Sequence, residues 1–320
     1  MSALSMLRHP VVRGGLLALT FGFIAWALAR QWADVRQAAA SVTIAWPWVA
    51  AASGVVLATY AMLIQSWRLL LRGWGGELAY PVAVRIWTIA NLGRYLPGKV
   101  WSIGALGVLA TREGVSGVAA AGAAVLGTVL NLGAGIAIAV VTGADALDRL
   151  YPGLRVMALG ASLAFVVGVA ILPALLPRLL DRFSRGRGLP LARQQLAAHT
   201  IWATTAFNAI AWIGYGVAFA LFARGVTPQV SGNPTTFIAV FSASYLIGYL
   251  VLFAPGGLGF REVALSGLLV GMGAAGQGDA AILGAASRVW LTMLEVLPGV
   301  VGLLWLPPAQ RAALRRSGSP

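Results

Sequence analysis

Residues 94–99, Arg94-Tyr95-Leu96-Pro97-Gly98-Lys99, split an otherwise apolar stretch over 81–112 into two pieces, each too short to cross a bilayer alone. Pro97 removes a backbone donor and Gly98 relaxes the chain, so a helix is expected to break there. Two half-length helices joined at a break read as a re-entrant hairpin, tolerated only where protein or water covers the freed backbone. The pattern recurs about half a chain later. Residues 235–253 are apolar, Pro255-Gly256-Gly257 interrupts them, and 258–272 carry the apolar pattern on past Arg261-Glu262.

Outward from the breaks, the composition is that of a chain solvated by lipid. Of 320 residues, 59% are hydrophobic and 10% charged, whereas soluble domains carry about 25% charged residues. Long apolar runs fall at 14–29, 47–71, 115–142, 155–176, 199–223 and 279–306, each near the length needed to span about 30 Å of hydrocarbon. The first ends in Ala27-Leu28-Ala29, which has the look of a signal-peptide cleavage site, but Arg30 follows directly and the topology needs a spanning helix there. Residues 31–41 read as a short interfacial segment. Forty glycines in Ala-, Val- and Leu-rich segments let helix backbones approach closely.

The net charge of +14 suggests nucleic acid in a soluble protein. Here the arginines instead flank apolar runs, so they orient the chain and no nucleic acid is expected. With the N-terminus cytoplasmic, the basic loops at 68–85 and 178–193 and the C-terminal tail fall inside, while the charge-poor loops at 143–154 and 224–234 fall outside. The expected fold is therefore an all-α integral membrane protein of six spanning helices plus two re-entrant helical hairpins. If both limbs of each hairpin crossed, the count would rise to ten with the same loops inside. The order is span, span, hairpin, span, then the same again inverted. One membrane domain over 1–320 is expected, with a first repeat at 1–150 (hairpin about 81–112) and a second at 151–310 (hairpin about 235–273). Paired breaks at corresponding positions of two inverted halves point to a transport site.

Helices resuming near Lys99 and Leu258 would turn their N-terminal ends toward mid-membrane, each offering free N–H groups and about half a positive charge. With Arg94, Lys99 and Arg261 beside the breaks Pro97-Gly98 and Pro255-Gly256-Gly257, these ends form an expected anion site. Phosphate is the expected anion, since phospholipids and polyprenyl phosphates all carry one. The plainer alternative has Arg94 and Lys99 snorkelling to the interface and Glu262 complementing the dipole of its own helix. Arg288 and Glu295 lie inside the last span, seven positions apart and on one helix face. Buried charges of this kind should be paired or face water. They are expected either to pair with each other or with Glu262 and Arg261, or to supply, through Glu262 or Glu295, a carboxylate that exchanges a proton. Asn91, Tyr95, Asn131 and Asn208 are further polar candidates, equally explained by helix–helix hydrogen bonds. With no cysteine and with His9 and His199 far apart, no metal site, cofactor or thiol chemistry is expected. No catalytic motif is present, so the chain is not read as an enzyme.

Gly93-Arg94-Tyr95-Leu96-Pro97-Gly98-Lys99-Val100-Trp101 and Pro255-Gly256-Gly257-Leu258-Gly259-Phe260-Arg261-Glu262, in that order and at that spacing, resemble the flippase-like membrane domain of lysylphosphatidylglycerol synthases and of many stand-alone bacterial inner-membrane proteins. Trp67-Arg68, read as closing the second span, is similar too. In two-domain members of that family, a membrane domain is thought to move the modified lipid while a soluble C-terminal domain transfers lysine from tRNA to phosphatidylglycerol. The chain stops at Pro320, so it is expected to lack the transferase. The resemblance implies a translocase for a lipid or lipid-linked saccharide in the bacterial inner membrane, with anionic phospholipid or polyprenyl-phosphate lipids as its partners. The alternatives are a non-transporting partner of a lipid-synthesis enzyme and a membrane-embedded transferase using a lipid phosphate.

Overall fold

A computed structural model of the protein describes residues 42–95, 100–150, 152–184, 196–251 and 254–304. Every regular element among them is helical: α1 (Trp46–Gly73), α2 (Tyr80–Asn91), a 3-10 turn (Leu92–Tyr95), α3 (Val100–Arg112), α4 (Gly117–Thr142), α5 (Ala144–Leu150), α6 (Leu154–Ser184), α7 (Ala198–Val226), α8 (Pro234–Leu250), a second 3-10 turn (Pro255–Gly257), α9 (Phe260–Gly271) and α10 (Gln277–Leu304). Starts follow local chemistry. Pro47, Pro81 and Pro234 sit in first turns, where the missing N–H has no helical partner in any case. Ser116 and Asn233 accept the N–H groups of Ala119 and Thr236.

Among the described residues, five helices are long and apolar enough to cross a membrane: α1, α4, α7, α10 and the Leu154–Arg178 portion of α6. The chain is thus a multi-pass membrane protein. The expected first span at 14–29 and the interfacial segment at 31–41 lie outside the described residues. The helices flanking the breaks are shorter. α2, α3, α8 and α9 have 12, 13, 17 and 12 residues, so each extends about 18 to 26 Å, less than the hydrocarbon thickness.

Packing is reciprocal between the halves. α1 lies along α7 at the centre of the bundle. α4, which follows the first broken segment, packs on α8, and α10, which follows the second, packs on α2. Each also packs on the second limb of its own segment, α4 on α3 and α10 on α9, and the two 3-10 turns touch. Half of the most apolar window of α7 is buried against 6% for α6, which places α7 centrally and leaves α6 facing lipid. Glycine permits the closest crossings: a Cβ at Gly216 would fall on the backbone of Ile238 in α8, and one at Gly135 on the indole of Trp212.

Some boundaries differ from the sequence reading. Trp67-Arg68 does not close the second span, because α1 runs on to Gly73. Arg68 is buried there instead, donating through Nε and Nη2 to the Leu78 carbonyl at 3.1 and 2.9 Å and through Nη1 to Gln65 at 2.7 Å. The guanidinium thus pins the return of the chain toward α2. α6 continues through Pro173 and Pro177 to Ser184, beyond the expected end near 176. The loop expected at 143–154 contains α5. The basic residues Arg185, Arg187 and Arg193 lie outside the described residues.

Candidate functional site

Where the two 3-10 turns meet, three guanidinium groups and two carboxylates converge from three elements, the first turn, α9 and α10. Arg94 lies in the first turn, and its Nη1 donates to Glu295 Oε1 at 2.6 Å and to the Tyr245 hydroxyl at 3.2 Å, while Nη2 donates to Asn91 Oδ1 at 2.8 Å. The Tyr95 hydroxyl donates to the other oxygen of Glu295 at 2.7 Å. One carboxylate on α10 therefore holds two successive residues of the first break. Arg288, about two turns earlier on α10, reaches the second break: its Nη1 donates to the Gly256 carbonyl at 2.9 Å and its Nε lies 3.6 Å from Glu262 Oε1. α10 thus clasps both breaks.

Arg288 and Glu295 share a face of α10 as expected, and Arg288 meets one of its expected partners, Glu262, whereas Glu295 does not. Glu295 binds Arg94 rather than Arg288 or Arg261, and Arg288 binds Glu262. The expected anion site at the start of the resumed helix needs amending for the same reason. Glu262 Oε2 accepts the Gly259 N–H at 2.6 Å, so the carboxylate of α9 occupies the positive end of its own helix. Glycine has no side chain to complete a reciprocal cap, and the φ of 83° at Gly259 is one glycine adopts without strain. At Gly257, with φ 70°, a Cβ would lie 2.6 Å from the Gly248 carbonyl, so the second turn closes only with glycine there. Pro97, Gly98 and Lys99 lie outside the described residues.

Arg261 is the group left over. Only 5% of it is exposed. Its guanidinium lies over the rings of Tyr245 at 4.8 Å and Phe241 at 5.1 Å, contacts that stabilise a desolvated cation by about 2 kcal/mol. It joins no ion pair among the described residues, and its Nη2 lacks a hydrogen-bond partner, as does Nη2 of Arg288. Gly248 makes the room, since a Cβ there would lie 2.7 Å from Arg261 Cβ. A cavity of about 70 Å³ opens at this point, lined by Arg94, Arg261, Arg288, Glu295, Tyr245 and Gly256 among others. A larger one of about 150 Å³ adjoins it, sharing Arg94, Ser102, Tyr245 and Tyr249. Asn131 and Asn208, both singled out in the sequence, line the larger cavity with Asn91.

The aromatic residues were the omission. Phe241, Tyr245 and Tyr249 recur every four residues, which sets them on one face of α8, but within an apolar run they looked like ordinary packing. Tyr245 in fact joins the two arginines, through its hydroxyl to Arg94 and through its ring to Arg261. The arrangement can neutralise one anionic group entering beside Arg261, where positive charge exceeds negative by one among the described side chains.

Over residues 14–313 the sequence matches the family described as Lysylphosphatidylglycerol synthase TM region, and the chain belongs to that family. Its membrane domain is accordingly linked to lipid metabolism. A comparison with curated proteins gave no match.

Proposed function

We propose that this member of the family moves a lipid or lipid-linked saccharide across the bilayer, binding the headgroup phosphate at Arg261 between two re-entrant hairpins. The observation that carries the reading is the buried guanidinium of Arg261, without carboxylate or Nη2 partner among the described residues, beside the meeting point of both breaks. A buried unpaired charge is costly, so its retention calls for an anion from outside the protein. Arginine also presents a planar fork of donors that matches phosphate oxygens. Lys99, in the sequence next to the first break, is assigned to the same anion.

The hairpins would be formed by α2 with α3 and by α8 with α9, whose short limbs support this reading. Were the apolar run at 14–29, which lies outside the described residues, to span as its sequence leads one to expect, the spanning helices would number six. The reciprocal packing of α4 on α8 and of α10 on α2 supports an inverted repeat divided near residue 150. The protein would sit in the bacterial inner membrane with both termini cytoplasmic. Since the chain has no native cysteine, single-cysteine labelling reads this orientation directly. Cysteine at Ser231 should react with an impermeant reagent added outside intact cells, and cysteine at Ser184 or Ser317 should not. Labelling at Ser184 from outside would reverse the assignment.

The function itself is tested in vesicles of phosphatidylglycerol carrying the purified full chain and a headgroup-labelled fluorescent phosphatidylglycerol. Added dithionite should bleach clearly more than the outer-leaflet share, whereas protein-free vesicles should lose only that share. Equal bleaching with and without protein, repeated for a labelled polyprenyl phosphate, would favour the non-transporting partner.

A further inference from the structure

The larger cavity carries information about what is attached to the phosphate. We infer that it is a headgroup subsite for a neutral, hydroxyl-rich group such as a sugar or polyol, and that it disfavours cationic headgroups. The inference rests on the reading that a lipid phosphate binds at Arg261, because the two cavities share Arg94 and Tyr245 and a phosphodiester at the smaller one places its headgroup in the larger.

Among the described residues, none lining the larger cavity is Asp or Glu, and Arg94 is the one charged side chain. An ammonium-bearing headgroup would find no free carboxylate there, because the carboxylate nearest Arg94, Glu295, is already paired with it. Glu295 lines the smaller cavity, where Arg94 and Tyr95 hold its two oxygens.

Three amides lie among the polar side chains of the lining, beside hydroxyls such as Ser66, Thr128 and Tyr215, and each amide spends one end on the protein. Asn91 accepts from Arg94 through Oδ1, and Asn131 accepts from Trp212 Nε1 through Oδ1 at 2.8 Å. Asn208 donates through Nδ2 to Ser66 Oγ and the Thr204 carbonyl, both at 2.8 Å. The opposite ends, two NH2 groups and one carbonyl oxygen, make no hydrogen bond among the described residues. Fixed donors and acceptors side by side match hydroxyl groups, each of which both donates and accepts. Trp212, edge-on to Tyr215 at 6.4 Å and to Tyr245 at 5.3 Å, supplies an aromatic wall against which the C–H face of a ring polyol packs.

Native mass spectrometry of the purified full chain tests this with four phospholipids of identical acyl chains: phosphatidylinositol, phosphatidic acid, phosphatidylethanolamine and lysyl-phosphatidylglycerol. Two or three neutral hydrogen bonds correspond to about tenfold, so phosphatidylinositol should bind about tenfold more tightly than the two ammonium-bearing lipids. Asn131→Asp keeps the acceptor for Trp212 and adds a carboxylate. It should erase that preference and raise lysyl-phosphatidylglycerol binding about tenfold. Arg261→Gln should weaken all four lipids by a similar factor and leave their order unchanged. Equal binding of the four, or a wild-type preference for the lysyl headgroup, would overturn the headgroup inference. If Arg261→Gln still weakened all four in that case, the phosphate reading would stand alone. A phosphatidylinositol preference with no effect of Arg261→Gln would sink the phosphate reading while leaving the polyol subsite.

Discussion

Arg261→Gln is expected to abolish lipid movement in proteoliposomes while leaving the protein at least as stable as the wild type. The two halves of this result have one cause. Arg261 is buried over Tyr245 and Phe241 and has no carboxylate partner among the described residues. Without ligand it therefore costs folding energy, which neutral glutamine recovers in part. With a phosphate present, its charge-assisted hydrogen bonds contribute about 1.5 to 3 kcal/mol, so their loss should lower lipid affinity about 10- to 100-fold. Lysine at 261 should restore a minor part, because a point ammonium neither forks around phosphate oxygens nor stacks over two rings as guanidinium does. A guanidinium with a purely structural role would behave in the opposite way, lowering the melting temperature when removed and leaving movement intact.

The second large effect is expected at the Arg94–Glu295 pair and runs in the other direction. The Glu295 side chain is 9% exposed and carries both Arg94 and Tyr95. Glu295→Gln keeps a hydrogen-bonding partner for Tyr95 but leaves Arg94 uncompensated beside Arg261 and Arg288. Arg94→Gln leaves Glu295 held by Tyr95 alone. Because Arg94 is partly exposed, each single change should destabilise the protein by about 2 kcal/mol, below the range for a fully buried pair. The melting temperature in detergent should fall in each single variant and recover in the double variant, since both charges then leave together. Movement should not recover. Glu295→Gln should also tighten binding of phosphatidylglycerol while slowing its transfer, because the excess positive charge that admits the phosphate then resists its release. Additive losses of stability in the double variant would show that the two side chains act independently.

How much of this was legible in the sequence depended on the range of the interaction. The breaks were readable because Pro255-Gly256-Gly257 disrupts a helix wherever it occurs, and the second 3-10 turn falls there. The spans were readable because a lipid-facing surface tolerates little besides apolar side chains, as α6 illustrates. Pairing was not. Arg288 and Glu295 share a helix face, but which of them meets Arg94 depends on how α10 crosses α2 and the first turn, and that is a property of packing between the halves. The capping of Gly259 by Glu262 was a local alternative visible in the sequence, and it took the helix start from the expected anion. Tyr245 escaped notice because a tyrosine in an apolar run looks the same whether its hydroxyl meets lipid, water or an arginine 151 positions away in the chain.

The central claim is that a lipid phosphate sits between the two breaks on Arg261. Its most direct test is a cryo-EM map of the full chain in nanodiscs of phosphatidylglycerol, at a resolution that shows headgroups. The account predicts density for a phosphate within hydrogen-bond distance of Arg261 Nη2, bounded by Arg94 and Arg288. Lipid density confined to the outer faces of the bundle, with the Arg261 guanidinium sealed between Tyr245 and Phe241 and no density beside it, would contradict it.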